Sequence, residues 1–219
     1  MKKVSAESLN NQVYNEIKQA IMSGQFRAGD KFTVRKLVEK LGTSQMPVRV
    51  ALNRLLTEGA LVQSVPSGTS ILPHVTRAQF REWMELRSIL EPRAAELAGP
   101  NMKPAIIRKL NKVLNKSKTD TIVDVKVNLL ENYAFKHTIY EQCQSPTLLR
   151  FIDLLWLRVG PVFHHDPHDA SGEASDYTYE ENVIAALEKG DGATAGKFLK
   201  KDILDGMGRI LDAAEFADD

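Results

Sequence analysis

The chain has 219 residues, 29 Lys+Arg against 28 Asp+Glu, and 43% hydrophobic residues, enough for two domains with real cores. A near-balanced total excludes a uniformly basic or acidic polyelectrolyte, and the single cysteine, Cys143, excludes an intrachain disulfide. Charge is unevenly spread: residues 1–75 carry +5 and residues 76–219 carry −4. A basic head suits phosphate contacts, although a difference of a few charges also arises as plain surface variation. Residues 1–18 hold no apolar core, and no uncharged run approaches the roughly 18 residues that span a bilayer. The expectation is a cytoplasmic protein.

Elements follow in chain order. Thr33 is placed to cap a helix in which Val34, Leu37, Val38 and Leu41 recur at helical spacing, leaving Arg35, Lys36, Glu39 and Lys40 outward. Gly42 ends that helix and permits a tight turn. Ser44 is placed to cap the next one, Pro47 is tolerated in its first turn, and Val48, Ala51, Leu52, Leu55 and Leu56 form its buried stripe up to Gly59. Gln45, Met46 and Arg49 then face outward at its N-terminal end. Leu61–Val65 and Thr69–Leu72 are short β-type runs joined through Pro66, Ser67 and Gly68, which is turn chemistry. Two helices meeting at a glycine turn, followed by a hairpin, read as a winged helix-turn-helix. The same order is also an ordinary unit of α+β domains.

Beyond residue 76 the chain reads as all-helical. Thr76 and Gln79 form a capping box, and Phe80, Trp83, Met84, Leu86, Leu90, Ala94 and Leu97 carry a helix to Gly99-Pro100, with a kink expected near Pro92. Further helices are predicted over 104–117, 121–143, 146–161, 177–189 and 192–213, with Cys143 packed in one of them. About six helices with short connections suggest an antiparallel bundle. The fold class is therefore mainly α, with a winged helix-turn-helix over 1–74 and an all-helical domain over 75–219. No nucleophile elbow, glycine-rich phosphate loop or metal-ligand set is present, which argues against an enzyme. The run His164-His165-Asp166-Pro167-His168-Asp169 lies in a Pro/Gly/Ser/Asp-rich connection and is read as a surface loop rather than a preorganised metal site.

Specific residues sharpen this reading. Tyr14 to Leu72 resembles the N-terminal domain of the GntR family of bacterial transcription regulators: the frame I-x-x-G-x-x-x-x-G-x-x-L is present as Ile21, Gly24, Gly29 and Phe32. The core S-x-x-P-V-R-x-A-L is present as Ser44, Pro47, Val48, Arg49, Ala51 and Leu52, and the E-G-L before the wing as Glu58, Gly59 and Ala60. RSILEPRAAELA, residues 87–98, resembles the opening of the FCD ligand-binding domain of the FadR subfamily, in a length closer to the VanR-like short form. The resemblance implies a homodimer that binds a near-palindromic double-stranded operator, with the second helix in the major groove and the wing along the minor groove. It also implies a small-molecule effector, often an organic acid, that changes operator affinity. A repressor is the leading expectation; a constitutive DNA-binding regulator that has lost ligand response is the alternative.

Carried over residue by residue, Arg35 and Arg49 match the family's DNA-contacting arginines. Gln45 stands where many relatives carry Arg, and Gln favours adenine where Arg favours guanine. Ser44 and Met46 share that end of the helix. Lys36, Lys40 and Arg54 are generic phosphate candidates, and Ser67 and Gly68 form the wing tip. Gln45 and Ser67 could equally rest in solvent beside DNA without reading a base, and Lys36, Lys40 and Arg54 could simply solvate a helix face.

Many family members hold a divalent metal through an Asp and a His at i, i+4 and two later histidines. The corresponding positions here are Asn132, Lys136, Glu180 and Asp202. All four are substituted, and an ammonium has no lone pair to give a metal. The expectation is no metal cofactor, with Lys136 as the positive centre between Glu180 and Asp202. Arg87 is either a bidentate clamp for an effector carboxylate or the i, i+4 partner of Glu91.

Overall fold

The structure is a computed structural model that describes residues 9–64, 69–119, 125–163 and 177–217. Among these residues nine α-helices and one small sheet follow in order: α1 (Leu9–Met22), β1 (Lys31–Phe32), α2 (Val34–Leu41), α3 (Gln45–Thr57), β2 (Val62–Gln63) and β3 (Ser70–Ile71). The second half continues with α4 (Arg77–Ala98), α5 (Pro104–Thr119), α6 (Val125–Tyr140), α7 (Pro146–Phe163), α8 (Thr178–Glu188) and α9 (Gly192–Ala213). The mainly helical architecture matches the expected class.

Local chemistry explains the head. Thr33 caps α2 by accepting from the Lys36 N–H, and Gly42 closes it at φ 60°, a left-handed conformation that favours glycine. Pro47, Val48, Ala51, Leu52 and Leu55 turn inward from α3 to meet Val13, Tyr14, Ile17 and Ile21 of α1. Ser44 occupies the expected N-cap position with extended backbone, yet its hydroxyl makes no capping bond. The wing differs from the expected hairpin in one respect. β3 is central, pairing antiparallel with β2 (Val62↔Ile71, Gln63↔Ser70) and with a third strand, β1 (Lys31↔Ile71, Phe32↔Ser70). Two residues are too few for alternation to show, so β1 left no periodic signal.

In the bundle, Thr76 and Gln79 form both bonds of the capping box, and α4 runs unbroken through Pro92. Helix α9 packs closely on this helix through small residues. A Cβ on Gly192 would lie 2.5 Å from the Ala95 carbonyl, and one on Gly196 would lie 2.8 Å from that of Pro92. The predicted helix over 121–143 ends earlier, at Tyr140, and a 3₁₀ turn covers Glu141–Cys143. Cys143 is buried in that turn rather than in the helix, beside the Ser145 backbone. The left-handed Gln144 then redirects the chain into α7.

Head and bundle share one continuous core and meet along α1 and α7. Gly160 of α7 abuts the Met22 backbone, where an added Cβ would sit 2.7 Å from the Met22 Cα. The chain end returns as well: the Ala217 N–H donates to the Val75 carbonyl, and Phe216 stacks on Phe80 at 5.5 Å.

Candidate functional sites

Helix α3 keeps one side in the core and leaves the other bare. Gln45, Met46, Arg49, Val50, Asn53 and Thr57 are exposed, at the spacing complementary to the buried stripe. Arg49 makes no ion pair or hydrogen bond among the described residues. Arg35 and Lys36 are exposed on the adjoining helix, where Arg35 pairs loosely with Glu39 at 3.2 Å. Lys40 lies over the Phe26 ring at 5.3 Å. Ser67 and Gly68 lie outside the described residues, as does the His164–Asp169 run. Val50 and Asn53 were missed from the sequence, although their offset from Val48, Ala51 and Leu52 placed them outward.

Arg54 departs from its generic phosphate reading. Its guanidinium lies 3.6 Å from the centre of the Tyr14 ring and pairs with Glu58 at 3.0 Å, while Tyr14 donates to the other Glu58 oxygen at 2.6 Å. Burial first, and then the Glu58 carboxylate, push the Tyr14 hydroxyl well above its usual pKa, so it stays a donor. Arg54 thus faces the groove between head and bundle, beside Lys18 and Asp153, rather than the bare side of α3. Its nearest carboxylate was four residues away in sequence, but Tyr14 lies on another helix.

The five candidate effector residues come together. Arg87, Asn132, Lys136, Glu180 and Asp202 line one cavity of about 460 Å³ between α4, α5, α6, α7, α8 and α9. Its charged walls are largely satisfied internally. Lys136 is 5% exposed and its Nζ lies 2.5 Å from Asp202 Oδ2, across 66 residues of chain. Glu180 lines the same cavity.

Arg87 adopts the ion pair of its two sequence-based alternatives. Its Nε donates to Glu91 Oε1 at 2.5 Å and its Nη2 reaches Oε2 at 3.4 Å, with both residues buried. The guanidinium also stacks 4.0 Å from the Trp156 ring centre, and Tyr140 donates to Glu91 at 2.5 Å. Burial, and then the Glu91 charge, hold the Tyr140 hydroxyl well above its ordinary pKa.

Sequence reasoning missed Trp156, which stands between these features. It is 2% exposed and lines the cavity, and among the described residues its indole N–H has no hydrogen-bond partner. A buried donor left unpaired costs about 1–3 kcal/mol, so a polar atom from outside the chain has a reason to meet it. Its helix, α7, also carries the contacts to the head. Asp153 receives Lys18 at 3.0 Å, His137 at 3.2 Å and Tyr133 at 3.1 Å. Burial pushes the Asp153 carboxyl up, but the His137 hydrogen bond and the Lys18 charge outweigh it and hold the pKa below the usual carboxylate value. Arg158 donates to the Glu58 carbonyl at 3.2 Å, satisfying the C-terminal end of α3 from across the joint.

Comparison with known proteins agrees with this arrangement. The profile of the bacterial regulatory proteins, gntR family, matches residues 9–71, and that of the FCD domain matches residues 82–205. The HTH-type transcriptional regulator McbR of Escherichia coli (strain K12) is 32% identical over 193 residues, covering 86% of each chain. An uncharacterized HTH-type transcriptional regulator, YdhC of Bacillus subtilis (strain 168), is 33% identical over 86 residues, 39% of this chain and 38% of its own. Among solved structures, E. coli McbR/YncC superimposes with a TM-score of 0.84 at 28% identity, over 94% of this chain and 99% of that one. A transcriptional regulator from Rhodococcus sp. RHA1, 19% identical, shares the fold at a TM-score of 0.74 over 95% of this chain and all of that one. No described helix is long and apolar enough to cross a membrane. The bare face of α3, the bundle cavity and these likenesses converge: the chain belongs to the GntR family of bacterial transcription regulators, with a DNA-binding winged helix-turn-helix joined to an effector-binding FCD domain.

Proposed function

We propose that this regulator is a cytoplasmic homodimeric repressor whose grip on a near-palindromic operator is set by a small organic acid bound in the bundle cavity. One observation carries the reading. Helix α7 supplies Trp156 to the cavity wall and, two residues later, Arg158 to the end of α3. A ligand that shifts Trp156 by a fraction of an ångström therefore acts on the same rigid element that holds the recognition helix. Repression asks least of the chain, since occupancy of a promoter blocks a polymerase without any contact to it. Leu86 and Ile89, exposed on α4 at 41% and 61%, offer an apolar face that a second copy would cover.

Within the cavity, the acid's carboxylate accepts from the Trp156 indole N–H and from Lys136, while Asn132 and Glu180 border the remaining volume. Arg87, paired with Glu91 and stacked on the Trp156 ring, braces the indole rather than clamping the ligand. The residues do not fit the family's divalent metal. Lys136 brings an ammonium to 2.5 Å from Asp202, where that charge would repel a metal cation. On the operator, Arg49 and Gln45 read base edges, Gln45 favouring adenine, while Ser44, Arg35 and Lys36 take phosphates.

Thermal shift with a panel of organic acids, followed by operator titration with and without each hit, tests the reading. A stabilising acid that weakens operator binding is expected. Trp156→Phe, which keeps an aromatic side chain of smaller size and removes the N–H, is expected to lose that stabilisation, and Arg158→Met to retain ligand binding while losing the response at the operator. An acid that stabilises Trp156→Phe as well as wild type rejects the binding mode. Operator affinity insensitive to every stabilising ligand favours a constitutive DNA-binding regulator. Selection of duplexes by Gln45→Arg that returns the wild-type consensus rejects the adenine preference.

A further inference from the structure

Two apolar side chains stand on the bare face of α3 where the helix otherwise presents polar groups. Met46 is 68% exposed and Val50 is 37% exposed, one helical turn apart. They flank Arg49 and lie beside Gln45 and Asn53, which are exposed on the same side. The other apolar residues of this helix do not share their position: Val48, Ala51, Leu52 and Leu55 are buried against the head's core, and Leu56 is half-buried beside them. An isolated exposed apolar residue needs no explanation. A pair set on one turn among base-reading side chains presents a continuous apolar strip to whatever the helix docks against.

In the major groove the apolar feature on a base edge is the C5-methyl group of thymine. Residues at i and i+4 are about 6 Å apart along the helix axis, which spans roughly two base-pair steps of about 3.4 Å each. We infer that Met46 and Val50 read thymine methyl groups at the steps neighbouring the base contacted by Arg49, so that the operator half-site is fixed by thymines as well as by hydrogen-bonded bases. The polar strip and the apolar strip run in parallel, which lets one turn of helix test a hydrogen-bond pattern and a methyl group on adjacent pairs. Met46 adapts its unbranched chain to the groove wall, whereas Val50 presents a stiff, branched face nearer the helix axis. This inference rests on the docking of α3 in the major groove.

The test replaces thymine by deoxyuridine, which removes the methyl and keeps every hydrogen-bonding group. An operator is first selected from a random duplex library with the full-length protein, and each thymine of one half-site is then replaced singly. The expected result is a loss of about fourfold in affinity per methyl at one or two positions, the value of one buried methyl group. Met46→Ala and Val50→Ala are each expected to bind the selected operator more weakly and to lose sensitivity to uridine at their own position. Uridine operators that bind the wild type as tightly as the parent overturn the inference, as do variants that keep the full uridine penalty. Arg49→Ala separates the two levels. If it weakens binding at least tenfold while uridine has no effect, the docking stands and the methyl reading falls; if Arg49→Ala also leaves affinity unchanged, the docking of α3 itself falls.

Discussion

On the exposed face of α3 the Arg49 guanidinium has no ion-pair partner among the described residues, whereas inside the bundle Arg87 is held by a carboxylate fork and an indole ring. The same side chain is treated oppositely because its surroundings differ. At the surface water solvates a cation, so leaving it unpaired costs little and keeps it available to a phosphate or a guanine. In the bundle an unpaired cation would forfeit that solvation, so the fold must supply the counter-charge itself. The lesson extends to Lys136, which is buried and paired with Asp202 across the cavity. In this chain an arginine facing a cavity is part of the wall before it is a hand for a ligand.

Removing the buried partner should break that contrast most visibly. Arg87→Met leaves Glu91 charged and buried, with only the Tyr140 hydroxyl for company, and is expected to cost about 3–5 kcal/mol in urea unfolding. The double variant Arg87→Met, Glu91→Leu should recover most of the loss. Equal unfolding midpoints for wild type and Arg87→Met would show that the bundle's arginine is as dispensable as a surface one.

The joint between the two regions comes next in size. Gly160→Ala drives a methyl group into the Met22 backbone, and the overpacking is expected to cost about 1–3 kcal/mol by thermal unfolding. The operator's response to a bound acid should weaken with it. A variant of unchanged stability would mean that α1 and α7 separate easily.

Acid sharpens the comparison at Asp153. A carboxyl whose pKa is lowered by folding adds stability above its unfolded value of 3.8, and that contribution disappears as pH falls through the lower folded value. Wild type should therefore exceed Asp153→Asn by about 1–2 kcal/mol at neutral pH, with the gap closing below pH 3.8. A gap that is constant down to the acid limit would detach Asp153 from Lys18 and His137.

The smallest effect is expected at the surface. Arg35→Ala removes a pair whose members are 91% and 65% exposed, and should change stability by no more than about 0.5 kcal/mol. It should lower the salt dependence of operator binding by about one phosphate contact, measured as the slope of affinity against salt. A large stability loss with an unchanged slope would assign Arg35 to the fold.

Legibility in the sequence tracked how local each signal was. The Thr33 cap, the left-handed Gly42, the Thr76–Gln79 capping box and the two-sided pattern of α3 all arise within one or two turns of chain, and each was readable. Strand β1 was not, because two residues acquire strand character only by pairing with β3 about forty residues away. Arg54 was assigned to phosphate because the sequence shows its charge and its neighbour Glu58 but not the Tyr14 ring beneath it. The effector candidates came from the family's ligand positions, and what they shared was a place in the alignment rather than any visible contact.

By itself the amino-acid sequence determined most of the helices from α2 onward, the Thr33 and Thr76 caps, the outward end of α3 and the kinship of both halves, because helical periodicity and turn chemistry act between near neighbours. Only the tertiary structure decided which charges would cancel. It set Lys136 against Asp202 and Arg87 over the Trp156 ring, and it ran α7 from the cavity to the end of α3. Those choices depend on which helices share a buried face, and burial is what turns a tolerable lone charge into one that must find its partner.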